Sequence, residues 1–249
     1  MKSLALVHPD AVRLETGGVV GDRRFWLRDE VGALYGGKRN GELLRIRPEW
    51  HEATRRLALT FPDGSRVEGV VELGEEVEAE LYGERRPAHR VLGPWEDAIS
   101  RHIGRRLELL WADRDAIDRS PDGGSVSLVS RGSLERLRRE VGVADAVDGR
   151  RFRMLFEIDG VGAHEEDGWL GAEVQVGEAT VRFNGDVGRC VVTSRHPDTG
   201  VIDLPTLVTL VAYRPEGHVE RLPFGIYGAV VVPGRVRVGD PVVPAPESG

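Results

Sequence analysis

Short apolar runs, each closed by glycine, proline or a polar turn, recur along most of the chain. Glycine accounts for 32 of the 249 residues and falls mainly between these runs. This spacing is typical of many brief strands joined by turns. The clearest hairpin signal is Pro62-Asp63-Gly64, which separates apolar strands predicted at 57–61 and 67–73. The sequence also predicts strands at 4–7, 19–27, 77–82, 107–111 and 126–129, a polar loop at 113–124 and an extended tail at 241–246.

Three segments carry the apolar spacing and end signals of short helices. The first follows Pro94 and ends at Gly104, the second is capped by Ser133 and ends at Gly142, and the third has Pro205 in its first turn. We expect the inner face of the third helix to consist of Leu207, Leu210 and Val211. Because strands outnumber helices, we predict a mainly β fold with a few short helices, built as barrels rather than βαβ units.

Composition narrows the classes of function. The formal net charge is −7, which disfavours general binding to nucleic acid or to an anionic membrane. A single cysteine excludes an internal disulfide and suits a reducing compartment. The apolar run at 1–7 is too short for a signal-peptide core, and no 18 apolar residues run together. We therefore expect a cytoplasmic protein that has neither nucleic acid nor a membrane as its partner.

The single cysteine, Cys190, lies between a glycine-bearing segment at 185–188 and the β-branched run at 191–193. Valine and threonine favour extended backbone, so we predict Cys190 at or near the start of a strand. An unpaired cysteine is most often a small buried hydrophobe, although a lone thiol beside a loop also suits a soft ligand or a nucleophile. A catalytic pair of Cys190 and His196 is a third interpretation, but Pro197 favours a surface loop at that histidine.

Two basic patches are candidate anion sites. Arg23 and Arg24 follow Asp22, and on a strand their side chains point to opposite faces, so only one of them enters a given pocket. In the alternative interpretation, one of the two arginines pairs with Asp22 and the side chain of the other is solvated. Lys38 lies in a glycine-framed turn at 36–41, which suits either a solvated turn or backbone amides that meet an anion.

Several longer segments resemble the MOSC domain family, which is named after the C-terminal domain of molybdenum cofactor sulfurases and is related to amidoxime-reducing components. Three segments resemble the C-terminal half of that domain: RCVVTSRHPDTG at 189–200, TLVTLVAYR at 206–214 and PFGIYGAVVVPGRVRVGDPV at 223–242. Two further segments resemble the preceding strands of the MOSC domain: DGRRFRMLFEID at 148–159 and EEDGWLGAEVQVGEATV at 165–181. The segment GGVVGDRRFWLRDE at 17–30 resembles the β-barrel domain that often precedes the MOSC domain. The resemblance implies an N-terminal MOSC-associated β-barrel at 1–90 packed on a larger, mostly antiparallel MOSC barrel at 91–249. The residues themselves indicate a linker near 86–96, where Arg85-Arg86-Pro87 and Gly93-Pro94 interrupt the structure, and we expect the strand at 107–111 to open the second domain.

The resemblance also implies a molybdenum-cofactor oxidoreductase that reduces N-oxygenated small molecules and receives electrons from a separate donor protein. Cys190 would be the catalytic residue and would supply a thiolate to molybdenum, because a soft anionic sulfur suits such a centre. Arginine is well matched to the phosphate of molybdopterin, since its fork donates parallel hydrogen bonds; Arg24 is the first candidate and Arg23 the second. The remaining candidate cofactor contacts are Lys38, Arg153, Arg189, Thr193 and Ser194.

One departure from the family keeps other functions open. Related proteins commonly read Arg-Pro-Asn where this chain has Arg153-Met154-Leu155, so a polar contact carried by that asparagine is missing. A non-catalytic cofactor-binding module, or a carrier that holds sulfur as a persulfide on Cys190, is the main alternative. A molybdenum-free biosynthetic enzyme on the same fold is a third hypothesis.

Overall fold

The computed structural model describes residues 1–81, 83–113, 124–214, 216–218 and 220–245. The strands within these ranges are β1 (Ala11–Glu15), β2 (Gly18–Val19), β3 (Phe25–Asp29), β4 (Leu34–Tyr35), β5 (Arg47–His51), β6 (Arg56–Thr60), β7 (Arg66–Val70), β8 (Glu72–Leu81), β9 (Glu84–Leu92), β10 (Leu107–Trp111), β11 (Val126–Ser130), β12 (Phe156–Ile158), β13 (Glu173–Val176), β14 (Ala179–Gly188), β15 (Pro223–Val232), β16 (Gly234–Arg237) and β17 (Val242–Pro244). The α-helices are α1 (Trp95–Ile103), α2 (Arg131–Val141) and α3 (Thr206–Tyr213). Single 3₁₀ turns cover Gly41–Arg45, Glu52–Thr54, Gly149–Phe152, Glu165–Trp169 and Val191–Ser194.

The described residues form two compact units whose segments interleave along the chain. Unit 1 takes its residues from 1–8, 21–113 and 197–201, and unit 2 from 9–20, 124–196 and 202–245. The domain ranges 1–90 and 91–249 stay a prediction. The expectation that the strand at 107–111 opens the second domain is wrong, because β10 pairs with β3 and β9 inside unit 1.

Unit 1 contains two antiparallel sheets, with strand orders β4-β3-β10-β9-β8 and β5-β6-β7. The predicted hairpin is confirmed, since β6 and β7 pair across Pro62-Asp63-Gly64. The core of unit 1 includes three aromatic rings that meet edge to face, with centroids 4.8 to 5.4 Å apart. Edge-to-face contact is a favourable arrangement of aromatic rings. These rings belong to Phe25, Trp50 and Trp111.

Unit 2 is built on a six-stranded sheet with the order β12-β11-β15-β14-β13-β17, and on a small sheet with the order β16-β1-β2. Only the pairing of β11 with β12 is parallel. Register shifts interrupt the pairing of β14 with β15 at three places, and such irregularities bend a sheet. The sheet curls into a half-barrel whose end strands, β12 and β17, remain unpaired with each other. The prediction of a mainly β fold with a few short helices is therefore confirmed, with a curled open sheet in place of a closed barrel.

Several boundaries differ from the prediction for identifiable reasons. Residues 4–7 form no strand, and the run at 19–27 divides into β2 and β3 because a turn with Gly21 at φ +82° separates them. Helix α2 begins earlier than predicted, since Ser130 rather than Ser133 caps it by accepting a hydrogen bond from the backbone N–H of Ser133. In α3 the side chain of Val211 is 57% exposed, so its predicted inward position is wrong.

Other predicted elements agree with the structure. Helix α1 ends at Gly104, whose φ of +71° closes the helix in the left-handed conformation, and β10, β11 and β17 lie where strands or an extended tail were expected. Three predictions fall partly outside the described residues: the loop at 113–124 is described only at its two ends, Tyr82 follows the described end of β8, and Pro246 follows the described tail.

Gly225 of β15 provides a direct test of this packing. Its φ is +77°, and a Cβ built there would lie 2.6 Å from the carbonyl oxygen of Leu128 and 2.7 Å from Cε of Met154. We predict that Gly225→Ala lowers the free energy of unfolding by about 3 kcal/mol, because backbone strain adds to a steric clash. Urea denaturation measures the change.

The matched control is Gly239→Ala. Gly239 also has a positive φ, of +90°, but a Cβ there would meet no atom within 4 Å. We expect the free energy of unfolding of this variant to fall by only about 1 kcal/mol, the cost of placing alanine at a positive φ. Equal decreases in the free energy of unfolding of the two variants would show that the close approach at Gly225 adds no steric cost to the alanine substitution.

Candidate functional site

Cys190 lies two residues beyond the end of β14, at the entrance of the 3₁₀ turn Val191–Ser194. The prediction that it begins a strand is wrong. Its carbonyl oxygen accepts hydrogen bonds from the backbone N–H of Thr193 at 3.0 Å and from the Thr193 hydroxyl at 2.9 Å. These local bonds overcome the extended preference of the β-branched residues, because side-chain-to-backbone bonds compete with strand pairing. Cys190 is partly exposed and its thiol is free, so it is not a fully buried hydrophobe.

The end of this turn, which we call the cysteine turn (residues 190–194), is fixed to the start of α3. Thr193 and Ser194 are both buried. The carbonyl of Thr193 accepts a hydrogen bond from the Thr206 hydroxyl at 3.0 Å, and that of Ser194 accepts one from the backbone N–H of Asp203 at 3.0 Å. Both predicted cofactor contacts therefore lie beside Cys190. The Thr193 hydroxyl donates its one proton inside the turn, so donation to a pterin would require this bond to break. The predicted contact with a pterin stays a prediction.

Arg189 points into the unit and holds two backbone carbonyls. Its guanidinium donates to the carbonyl of Phe224 from Nε at 2.8 Å and also from Nη2, and from Nη1 to the carbonyl of Phe152 at 3.0 Å. Nη2 also lies 3.0 Å from the sulfur of Met154, and the guanidinium covers the Phe152 ring at 5.3 Å. Arg189 thus ties the residue before Cys190 to β15 and to the segment at 152–154. Its predicted contact with a cofactor stays a prediction.

The segment that departs from the family is packed into the protein. Met154 is buried and uses its sulfur to accept from Arg189, and Leu155 packs against the apolar core that contains Leu128. The backbone N–H of Leu155 donates to the hydroxyl of Ser127 at 3.1 Å. A side chain at position 155 therefore contributes apolar contacts here, where the family's asparagine would contribute a hydrogen bond.

Arg153 ends the 3₁₀ turn Gly149–Phe152 with a φ of +55°. A left-handed conformation costs a non-glycine residue about 1–3 kcal/mol and persists only where the surroundings impose it, which is frequent at functional sites. This turn contacts the cysteine turn. The structure therefore brings Arg153, Arg189, Cys190, Thr193 and Ser194 into one region of unit 2.

Sequence reasoning missed the ion pair between Arg151 and Asp203. Arg151 is buried and donates from Nη1 and Nη2 to the two carboxylate oxygens at 2.6 and 2.9 Å. The hydrogen bonds from Arg151 lower the pKa of Asp203, so the pair stays charged at neutral pH. The pair joins the turn Gly149–Phe152 to the segment before α3. No local signal could reveal it, because its partners are 52 residues apart.

The other three candidates belong to unit 1 and are described within it. Arg23 has a φ of +52° and pairs with Asp22 at 2.7 Å, and Arg24 pairs with Glu52 at 2.9 Å while covering the Trp111 ring at 5.2 Å. Both arginines precede β3, so the argument from alternating strand faces is wrong. Lys38 is exposed in the turn after β4. The roles of these residues as cofactor contacts stay predictions.

A buried polar network lies beside α2 in unit 2. Glu166 has no exposed surface, and its carboxylate accepts from the backbone N–H of Ser130 at 3.1 Å and from the hydroxyls of Ser130 and Ser133 at 2.8 and 2.6 Å. The positive end of the helix dipole favours a carboxylate at this position. The backbone N–H of His164 donates to Ser133 Oγ at 2.9 Å, and the Nδ1 atom of His164 lies 3.3 Å from the same oxygen.

Two further observations concern metal and membrane binding. Among the described residues, no group of three or more histidine, cysteine, aspartate or glutamate side chains is arranged to hold a metal ion. In the same part of the chain, none of the helices combines the length and the apolar character that crossing a bilayer requires.

We predict that Arg189→Lys lowers the free energy of unfolding by about 1–3 kcal/mol, because lysine cannot serve both carbonyls and leaves a buried acceptor unpaired. Urea denaturation measures this. Arg237→Lys is the control, since Arg237 makes an exposed pair with Glu178 at 3.3 Å, and its effect should stay within about 0.5 kcal/mol. A loss at Arg189 no larger than at Arg237 would contradict the assigned contacts.

We also predict that stability falls between pH 6.5 and pH 4 partly through His164. Burial first, and then the charges of Arg214 and Arg136, lower the pKa of His164 to about 4 from an ordinary value of 6.5. In this window the unfolded chain binds more protons at this site than the folded chain, so the contribution of His164 to stability is complete above the window and is lost as the pH falls.

The test compares wild type with His164→Asn, since asparagine tolerates the φ of +60° at this position. The free energy of unfolding of the variant should depend less steeply on pH between 6.5 and 4, with no difference in slope above pH 7. Identical slopes in both proteins would contradict a buried neutral imidazole.

Comparisons with known proteins place this arrangement in a family. A model of the MOSC domain matches residues 119–243, half of the chain. Mitochondrial amidoxime-reducing component 1 of Mus musculus is 33% identical over 145 residues, which are 55% of this chain and 41% of the mouse protein. The protein of the same description from Xenopus laevis is 28% identical over 213 residues, or 78% of this chain and 60% of the frog protein.

The chain spans less than two thirds of the length of these curated relatives. Among solved structures, YiiM from Geobacillus stearothermophilus aligns with a TM-score of 0.37 and 16% identity over 50% of this chain and 56% of its own, a likeness too distant to carry an argument. The MOSC match over half of the chain, together with the sequence similarity to two amidoxime-reducing components, decides the family. This chain belongs to the MOSC domain family.

Proposed function

We propose that this chain binds a molybdenum cofactor through Cys190 and reduces N-oxygenated small molecules. The observation that carries the proposal is that Cys190, a partly exposed residue with a free thiol, lies in a turn that is fixed on both sides. Membership of the MOSC family and similarity to proteins described as amidoxime-reducing support the substrate class.

The residues around Cys190 fit a molybdenum centre that takes the sulfur of this cysteine as a ligand. Molybdenum is well served by a thiolate, and a metal needs a ligand whose position is fixed before it binds. Hydrogen bonds from Thr193 fix the carbonyl of Cys190, and Arg189 fixes the preceding residue through Phe224 and Phe152. Arg153 adds positive charge in the same region of unit 2, which favours an anionic guest.

The contribution of the chain is therefore binding and orientation. When bound, the cofactor supplies two-electron and oxygen-atom chemistry. Conversion of an N–OH group to N–H and water requires two electrons and two protons, and we propose that a separate donor protein delivers the electrons in the cytoplasm. Cys190 would hold the metal, and the cysteine turn with its anchor at Thr206 would keep the sulfur in place.

The molybdenum content of the purified protein tests the proposal. Protein from a host that makes molybdopterin should contain close to one molybdenum per chain and should reduce an amidoxime or a hydroxylamine when a chemical electron donor is supplied. Cys190→Ser should lose most of the metal and the activity while its thermal unfolding stays close to wild type, because oxygen is a poorer ligand for a soft centre.

Val208→Ser is the matched control. Val208 lies on α3 with 74% of its surface exposed, so its replacement should change neither metal content nor activity. Wild-type protein free of molybdenum from such a host would contradict the proposal.

A sulfur carrier is the second candidate, and the packing of Leu155 favours it. The side chain at this position lies against the core, where the family's asparagine would offer a polar contact. In this case Cys190 carries a persulfide for another protein. Mass spectrometry of the intact chain would then show a gain of about 32 Da, the mass of one sulfur atom, at Cys190 and no molybdenum. An unmodified thiol in freshly prepared protein would remove this candidate.

A further inference from the structure

Three buried polar atoms belong to residues that contact one another between the turn Glu165–Trp169 and the end of α3. They are Nε2 of His164, Oδ1 of Asp167 and the hydroxyl oxygen of Tyr213, and no described residue offers them a hydrogen bond. Buried polar groups without partners are rare, because a group that is removed from water and left unpaired destabilises the folded state. Three of them in one place require an explanation.

The contacts between the two segments bring the three residues that carry these atoms into one neighbourhood. The rings of His164 and Tyr213 are 5.8 Å apart. Arg214, the residue after Tyr213, donates to the other carboxylate oxygen of Asp167 at 2.6 Å. His164 and Asp167 belong to the same turn, since the backbone N–H of Asp167 donates to the carbonyl of His164 at 3.1 Å.

The neighbouring hydrogen bonds assign the roles of these atoms. Ser133 has one hydroxyl proton, and it goes to Glu166 at 2.6 Å. The contact of 3.3 Å between Ser133 Oγ and His164 Nδ1 therefore requires a proton on Nδ1. Nε2 is then an acceptor, as is Oδ1 of Asp167, whereas the Tyr213 hydroxyl has a proton to donate.

We propose that these three atoms form a binding site for one water molecule. The water donates its two protons to Nε2 of His164 and Oδ1 of Asp167 and accepts the proton of the Tyr213 hydroxyl. Three hydrogen bonds are typical of a buried water in a protein. A single water thus satisfies all three atoms with no proton left over.

The protonation states agree with this arrangement. Burial lowers the pKa of His164 to about 4 and raises that of Tyr213 to about 12, so at neutral pH the imidazole is uncharged and the phenol keeps its proton. The neighbouring charges are those of Arg136, whose guanidinium covers the Tyr213 ring at 5.5 Å, of Glu140, and of Arg214, which pairs with Asp167.

The water completes the attachment of α3 at both ends. At its start, the hydroxyl of Thr206 donates to the cysteine turn. At its end, the water joins Tyr213 to the turn Glu165–Trp169, in parallel with the ion pair of Arg214 and Asp167. Helix α3 thereby links the cysteine turn to the buried network of Glu166.

A crystal structure of the full chain at high resolution tests the site directly. We expect density for one water within hydrogen-bonding distance of all three atoms. A site without water density, or a direct hydrogen bond from Tyr213 to Nε2 of His164, would overturn the proposal.

Thermal unfolding of Tyr213→Phe, His164→Asn and the double variant provides a second test. Asparagine can keep the donor that faces Ser133 and lacks the atom that faces the water. Each single variant should lower the melting temperature by about 2–4 °C. Because one water serves both side chains, the loss in the double variant should be clearly smaller than the sum of the two single losses. Additive losses would overturn a shared water.

Discussion

The guanidinium of Arg189 carries the constraint on which the site depends. Buried carbonyls need donors, and the carbonyls of Phe152 and Phe224 find theirs on this one side chain. Because the guanidinium is rigid and planar, it fixes two segments relative to each other as well as pairing them. Cys190 follows directly in the chain, so its position is set by contacts with β15 and with the segment at 152–154.

The curled sheet of unit 2 makes this constraint effective. Strand β15 lies between β11 and β14, and its residue Phe224 stacks on Phe152 with ring centroids 4.4 Å apart. Glycine at 225 lets the backbone pass close to Leu128. The cysteine turn thus leaves a rigid strand and returns to a helix that is tied at its start by Thr206. A thiol presented in this way suits a fixed metal ligand better than a mobile nucleophile, which is the basis of the proposed function.

Local signals in the sequence predicted the elements that local chemistry determines. The hairpin at Pro62-Asp63-Gly64 and the end of α1 at Gly104 need only a turn residue or a left-handed glycine, and both were predicted correctly. The family could also be inferred from motifs in order along the chain. The cysteine turn was mispredicted because Thr193 bonds back to Cys190 in place of joining a sheet. The partners of Arg189 and Arg151 lie 35 to 52 residues away, where periodicity and spacing give no information.

The central claim is that the fold holds Cys190, a partly exposed residue with a free thiol, in a fixed position that reagents reach without unfolding. The rate at which iodoacetamide alkylates Cys190 in the native protein, measured over increasing urea below the unfolding transition, tests it most directly. Alkylation from the native state should proceed at a rate that does not rise with urea over this range, because no unfolding is needed to reach the thiol. A rate that is negligible without urea and rises in step with the unfolded population would contradict the account.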